Sequence, residues 1–138
     1  MKSIEEQLIL HEGLRLKPYR DTVGKLTIGV GRNLDDKGIS KPEALFLLAN
    51  DIEAVTGQLE KYGWYKLLDP VRQKAIVDMA FNLGLAGLLK FQRMITAIGC
   101  MDYGGAADEM LDSRWARQVG RRAQRLAEMM RTGADYID

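Results

Sequence analysis

The sequence predicts a mainly helical α+β fold in two lobes, a small β-hairpin lobe and a larger all-helical lobe. Pro18 and the glycines Gly24, Gly29 and Gly31 rule out a long helix between residues 14 and 30. Within that stretch, Tyr19-Arg20-Asp21 and Leu26-Thr27-Ile28 read as two short strands around a turn. From residue 61 onward apolar residues recur at helical spacing with glycine breaks between them.

Taken in order, Ser3-Ile4-Glu5-Glu6 has the S-x-x-E form of a capping box, in which the serine oxygen accepts a first-turn amide and the glutamate reaches back. A first helix is predicted over residues 4–12, with Gly13 as its stop. The hairpin follows, with its turn at Val23-Gly24-Lys25. A three-residue turn, or an equivalent bulge, sets Asp21 and Thr27 opposite each other on one face; a two-residue turn sends them to opposite faces. Residues 32–39 read as loop or a short irregular strand. Ser40-Lys41-Pro42-Glu43 opens a long helix that ends near Tyr62-Gly63. Asp69-Pro70 starts another, with Ala75, Ile76, Met79, Ala80 and Leu83 as its buried stripe and Gly84 and Gly87 as its break. Shorter helices are predicted over 88–98, 103–111, 115–119 and 121–131, the last capped by Gly133. The expectation is one domain, residues 1–138: a small lobe with its connecting helix over 13–60, a helical lobe over 61–138, and an N-terminal helix over 1–12 joining them.

Composition narrows the function classes. Hydrophobic residues make up 46% and charged residues 28%, an ordinary globular balance able to bury a core without disulfides or metal. A net charge of +1 argues against nucleic-acid binding by bulk charge. The charge is uneven, however: residues 113–131 hold six arginines against one acid, Glu128. His11 and Cys100 are the single histidine and cysteine, so neither an intramolecular disulfide nor a Cys/His zinc site is expected. Cys100 is expected to be a packed thiol. Glu5 and Glu6 interrupt what would have to be the apolar stretch of a secretory signal. The longest apolar run, residues 44–49, is too short to span a bilayer. Synthesis in the cytoplasm and no stable membrane insertion are therefore expected; a monomeric state is expected as well.

Glu12, Asp21 and Thr27 are the candidate constellation for chemistry. A glutamate at a helix end facing a strand aspartate across a groove suits glycoside hydrolysis: one carboxylic acid protonates the leaving oxygen and the other carboxylate activates water or attacks the sugar. In the water-activating, inverting case the carboxyls lie about 6.5–9.5 Å apart. A threonine hydroxyl can hold the water against the aspartate. By residue type alone, the pair reads more readily as a helix-end acid and a turn-shaping aspartate, since the chain holds 19 acids from which many such pairs can be drawn.

Residues 11–32, H-E-G-L-R-L-K-P-Y-R-D-T-V-G-K-L-T-I-G-V-G-R, resemble the signature of phage-type lysozymes, the T4 lysozyme family: E-G-x-R-L-x-x-Y-x-D-x-x-G-x-x-T-I-G-x-G. Every fixed position is present. Ala80-Phe81-Asn82-Leu83-Gly84, Ser113-Arg114-Trp115 and Arg131-Thr132-Gly133 continue the likeness in family order. The resemblance implies a two-lobed lysozyme-like fold and hydrolysis, with inversion, of the β-1,4 bond between N-acetylmuramic acid and N-acetylglucosamine in peptidoglycan glycan strands. It implies Glu12 as general acid, Asp21 as the group that orients or activates water, and Thr27 as the group that holds it, with no cofactor. It also implies substrate contacts from Phe81 and Asn82, and an arginine, Arg122, that reaches the catalytic glutamate. An endolysin reaching the wall through a phage-coded pore is the corresponding localisation.

There are departures. The loop between Arg32 and Ser40 is shorter than in the T4 member, so less sheet and a more open cleft are expected. Position 32 is arginine where that member has a histidine paired with an aspartate on the long helix, which predicts an Arg32–Asp51 ion pair. Glu109 is an acid at a cleft-lining position where the T4 member has an amide, so that contact is not expected to carry over. Three rival readings have distinct signatures. A lytic transglycosylase needs no water-holding aspartate and releases 1,6-anhydro products. A silent wall-binding module does not clear peptidoglycan. A nucleic-acid module shifts DNA in a salt-dependent way.

Overall fold

The structure, a computed structural model, describes residues 1–137. It is mainly helical with one small antiparallel sheet, as the sequence predicts. The chain forms two compact units, residues 1–48 and residue 49 onward.

Unit 1 opens with α1 (Ile4–Glu12). Ser3 is extended, and its hydroxyl accepts the Glu6 amide at 3.0 Å. Gly13 ends the helix at φ 82, a left-handed conformation that glycine adopts without a Cβ penalty. The sheet has the order β1 (Arg15–Arg20), β2 (Leu26–Gly29), β3 (Arg32–Asn33). The first strand begins earlier than Pro18 led us to expect. It lies at the sheet edge, where a missing N–H is tolerated, and a register shift between Arg15 and Tyr19 absorbs the irregularity.

The hairpin turn is Thr22-Val23-Gly24, one residue earlier than predicted. It is closed by the Asp21 amide donating to Lys25 O at 2.9 Å and the Gly24 amide donating to Asp21 O at 3.0 Å. It is a three-residue turn, so Asp21 and Thr27 share one face, but its shift by one residue means that they do not stand opposite each other as expected. With Tyr19 opposite Thr27, the residue facing Asp21 is Lys25, and Asp21 and Thr27 are diagonal neighbours on one face.

The helix α2 (Lys41–Leu59) starts on the predicted capping box: Glu43 N donates to Ser40 Oγ at 3.3 Å, and Ser40 N donates to Glu43 Oε1 at 2.8 Å. The boundary between the units falls within this helix.

Unit 2 continues through α3 (Gly63–Lys66), α4 (Pro70–Leu89), α5 (Gln92–Gly99), α6 (Tyr103–Leu111), α7 (Arg114–Val119) and α8 (Arg121–Thr132). All the buried hydrophobic side chains among the described residues lie here, including Leu59, Ile76, Met79, Leu88, Met94, Met110 and Met130. The helix α8 shows how the pattern builds this core. Ala123, Leu126, Ala127 and Met130 follow i, i+3, i+4, i+7 spacing and are all buried, while Arg121, Gln124 and Glu128 face outward. Burying a leucine or methionine in this way contributes roughly 1.5–3 kcal/mol.

Two local readings are corrected, and one helix was not foreseen. The one-turn helix α3 has no polar cap on Tyr62 and gave no start signal. The helix predicted over 88–98 divides at Lys90 and Phe91, where Phe91 takes φ −80, ψ 61; Leu88 and Leu89 form the end of α4, which is itself broken at Gly84 (φ 77, ψ 161). Cys100, expected to be packed, is exposed just past the end of α5, where the chain turns at Met101 with a positive φ of 58.

Candidate active site

Thr27 is the single buried residue of unit 1, at 3% exposure. Its hydroxyl donates to Lys25 O at 2.9 Å. A hydroxyl has one hydrogen, so Thr27 can offer any further partner only lone pairs.

Asp21 is half-buried at the end of β1. Its Oδ1 accepts the Val23 amide at 3.0 Å and the Lys25 amide at 2.8 Å, an Asx-type arrangement that fixes the carboxylate against its own turn. Oδ2 accepts no hydrogen bond among the described residues. Lys25 therefore joins the two groups. Its amide holds the Asp21 carboxylate, and its carbonyl accepts both the Asp21 amide and the Thr27 hydroxyl.

Glu12 is exposed at the last turn of α1 and lies against Gly31. A Cβ on Gly31 would stand 2.8 Å from Glu12 Oε2 and 3.2 Å from its carboxyl carbon. Gly31 has φ +68, so the turn between β2 and β3 both requires glycine and leaves the space the carboxylate fills. All three predicted catalytic residues thus belong to unit 1, and the turns flanking β2 carry their supports: Lys25 for Asp21 and Thr27, Gly31 for Glu12.

Arg32, next to Gly31, does not use the partner expected for it. Its guanidinium makes a bidentate pair with Glu43, at 2.8 Å and 2.7 Å, and donates to Gly38 O at 3.2 Å. Glu43 replaces Asp51 because the capping box already holds its carboxylate at the start of α2, where the short loop delivers the chain. Arg32 and the Ser40 amide hold the Glu43 carboxyl down to a pKa of about 2.

The predicted substrate-binding residues belong to unit 2. Phe81 is 43% exposed, so it is not a core side chain. Asn82 Oδ1 accepts the indole N–H of Trp115 at 2.7 Å, a bond the sequence did not foretell. Trp115 in turn meets Phe91 edge-on, with centroids 6.1 Å apart. The Arg122 guanidinium is held by Asp78: Nε donates at 2.8 Å, and the closest ion-pair approach is 2.7 Å. No cluster of three or more His, Cys, Asp or Glu suited to a metal ion occurs among the described residues.

The profile of the phage lysozyme family matches residues 10–131, from α1 through most of α8. The chain belongs to the phage lysozyme family. Among similar proteins, the probable T4-type lysozyme 1 of Dictyostelium discoideum is 29% identical over 96% of both chains. The SAR-endolysin of Escherichia phage Mu is 28% identical over 86% of this chain and 70% of its own length. The pre-baseplate central spike protein Gp5 of Enterobacteria phage T4 is 29% identical over 95% of this chain, which spans only 28% of that relative.

The supports around the motif of this phage-type lysozyme were harder to foresee than the motif itself. Lys25 and Leu26 occupy variable positions of the signature and act through backbone atoms, which a side-chain pattern does not report. Gly31 was legible as the last fixed glycine, although its contact with Glu12 was not.

Proposed function

We infer that this lysozyme hydrolyses the β-1,4 bond between N-acetylmuramic acid and N-acetylglucosamine with inversion at the anomeric carbon. Glu12 is the general acid and gives its proton to the leaving glycosidic oxygen as the C–O bond breaks. A water molecule attacks the anomeric carbon from the opposite face and passes its proton to the Asp21 carboxylate. Phe81 and Asn82 contact the glycan, the Asn82 amide through a hydrogen bond to an acetamido group. The enzyme acts as a monomer and reaches the cell wall through a phage-coded pore; its likeness to endolysins supports the wall as the place of action.

The observation that carries this reading is the pairing of Asp21 and Thr27 on Lys25. The Thr27 hydrogen is committed to Lys25 O, so a water on Thr27 must donate to it. The open Oδ2 of Asp21 takes the second hydrogen, and the water oxygen is left with its lone pairs for attack. A transglycosylase, whose sugar closes on itself, has no use for this arrangement.

The test is a turbidity assay on purified peptidoglycan with product analysis. The wild type should clear the suspension and release reducing ends of inverted anomeric configuration. Glu12→Gln should lose about 100-fold or more of the rate, the usual range for removing a general acid. Wild-type clearing by Glu12→Gln, or 1,6-anhydro products, would remove the mechanism.

A further inference from the structure

The Lys25–Leu26 peptide group has partners on both ends. Its carbonyl accepts the Asp21 amide and the Thr27 hydroxyl. Its N–H donates to Asp35 Oδ2 at 2.7 Å. Residues 33–36 are well placed to hold that carboxylate. Leu34 N donates to Leu26 O at 2.7 Å, Asp36 N donates to Asn33 Oδ1 at 2.9 Å, and Lys25 Nζ reaches Asp36 Oδ1 at 3.1 Å. Arg20 Nη1 stands 3.7 Å from the same Asp35 oxygen and donates to Gly24 O across the turn at 3.1 Å. Asp36 and Asp35 both raise the pKa of Lys25, the Asp36 hydrogen bond most, so its ammonium is charged across the working range.

We propose that Asp35 is a positioning residue for the hydrolytic step. It orients the Lys25–Leu26 peptide plane and through it sets both the Asp21 turn and the Thr27 hydroxyl rotor. The physical route is short. A carboxylate is a stronger acceptor than water or a neutral oxygen. A charge-assisted bond at a peptide N–H polarises the group and strengthens its carbonyl as an acceptor. That carbonyl is the one acceptor the Thr27 hydrogen uses, and it closes the turn that presents Asp21. If the plane rotates, the hydroxyl is released and the water loses its fixed orientation, while no group that binds the sugar has moved. The loop that differs in length from the T4 member thereby becomes part of the catalytic apparatus without touching substrate.

The inference rests on the hydrolytic reading above, and the test separates the two. Asp35→Ala and Asp35→Asn are compared with the wild type on soluble glycan fragments, and hydrogen exchange is followed by NMR at the Asp21 amide. Asp35→Ala is expected to lower kcat five- to tenfold with KM within twofold of the wild type. Asp35→Asn, which keeps an oxygen acceptor, should return kcat to within threefold. The Asp21 amide should exchange at least fivefold faster in Asp35→Ala than in the wild type. Unchanged kcat in Asp35→Ala, no recovery in Asp35→Asn, or unchanged exchange at Asp21 each overturns the proposal. Should Asp35→Ala not fold, the Leu26 amide proton of the wild type decides. It should lie downfield and move upfield as the carboxyl is protonated in acid; a Leu26 amide blind to that titration overturns the proposal. A wild type that cleaves no glycan defeats the hydrolytic reading alone, and the exchange measurement still judges the clamp.

Discussion

A Cβ on Gly31 meets Glu12 Oε2 at 2.8 Å, whereas a Cβ on Gly24, which also has a positive φ, meets nothing within 4 Å. The two positions separate backbone strain from damage to the site. Either alanine substitution forces an L-residue into the left-handed region at about 1–2 kcal/mol. Gly24→Ala is expected to lower the melting temperature and keep most of the activity. Gly31→Ala should show a similar thermal loss and, because it displaces the acid, lose about tenfold or more in kcat, in line with the sensitivity of catalysis to ångström-scale misplacement. Thermal melts and turbidity assays on both proteins check this, and equal activity in the two would refute the link between Gly31 and Glu12. Thr27 makes a companion case. Thr27→Ser keeps the hydroxyl and should retain activity. Thr27→Val removes both the donor to Lys25 and the lone pairs for water, and should be about tenfold or more slower.

At the scale of elements, the start of α2 joins the sheet through Arg32 and Glu43. The folded pKa of Glu43, about 2, lies below its ordinary value of 4.5, so the sign is that of a depressed acid. The contribution is fully present above about pH 4.5 and is lost as pH falls through 2. Arginine keeps its charge throughout and adds no transition of its own near neutrality. Melting temperatures of wild type and Glu43→Gln should therefore differ most near pH 6 and converge toward pH 2; a gap independent of pH would dismiss the ion pair as its source. The same corner shows what the sequence could tell. The capping box was legible, because Ser40 and Glu43 are local and their spacing is the mechanism. The partner of Arg32 was not, because choosing between Glu43 and Asp51 requires knowing where the short loop sets down the helix. The turn parity was left open for a related reason: a shift of one residue in the turn is invisible in Val23-Gly24-Lys25, while its effect on which residue faces Asp21 is complete. Lys90-Phe91 marks the limit in the helical region, where a break occurs without glycine or proline to announce it.

Across the whole molecule, burial is distributed unequally. Unit 2 holds the buried hydrophobic core, and Arg72 links three of its helices. From α4, Arg72 Nε donates to Met130 O at 2.7 Å and one Nη donates to Arg131 O at 3.2 Å, so the guanidinium caps the end of α8. Its carbon lies 3.8 Å from the ring centroid of Tyr103 on α6. Lysine cannot reproduce a planar fork that caps carbonyls and stacks at once. Arg72→Lys should therefore be nearly as destabilising as Arg72→Ala, at about 2–3 kcal/mol for the lost charged hydrogen bonds. In unit 1, by contrast, Leu16 is 82% exposed, and the Asp21 and Thr27 side chains are held by hydrogen bonds within the hairpin. Elements with few buried apolar contacts open at lower free energy than a packed core. Native-state hydrogen exchange should accordingly find the Ile76, Met79 and Met130 amides exchanging only with global unfolding, and the Asp21 and Leu26 amides through smaller openings. Arg72→Lys should speed the first group by the full loss of stability and leave the second nearly unchanged. Equal acceleration at Leu26 and Ile76 would mean that the hairpin opens only when the helical core does, and that the catalytic turns draw their rigidity from the core rather than from their own hydrogen bonds.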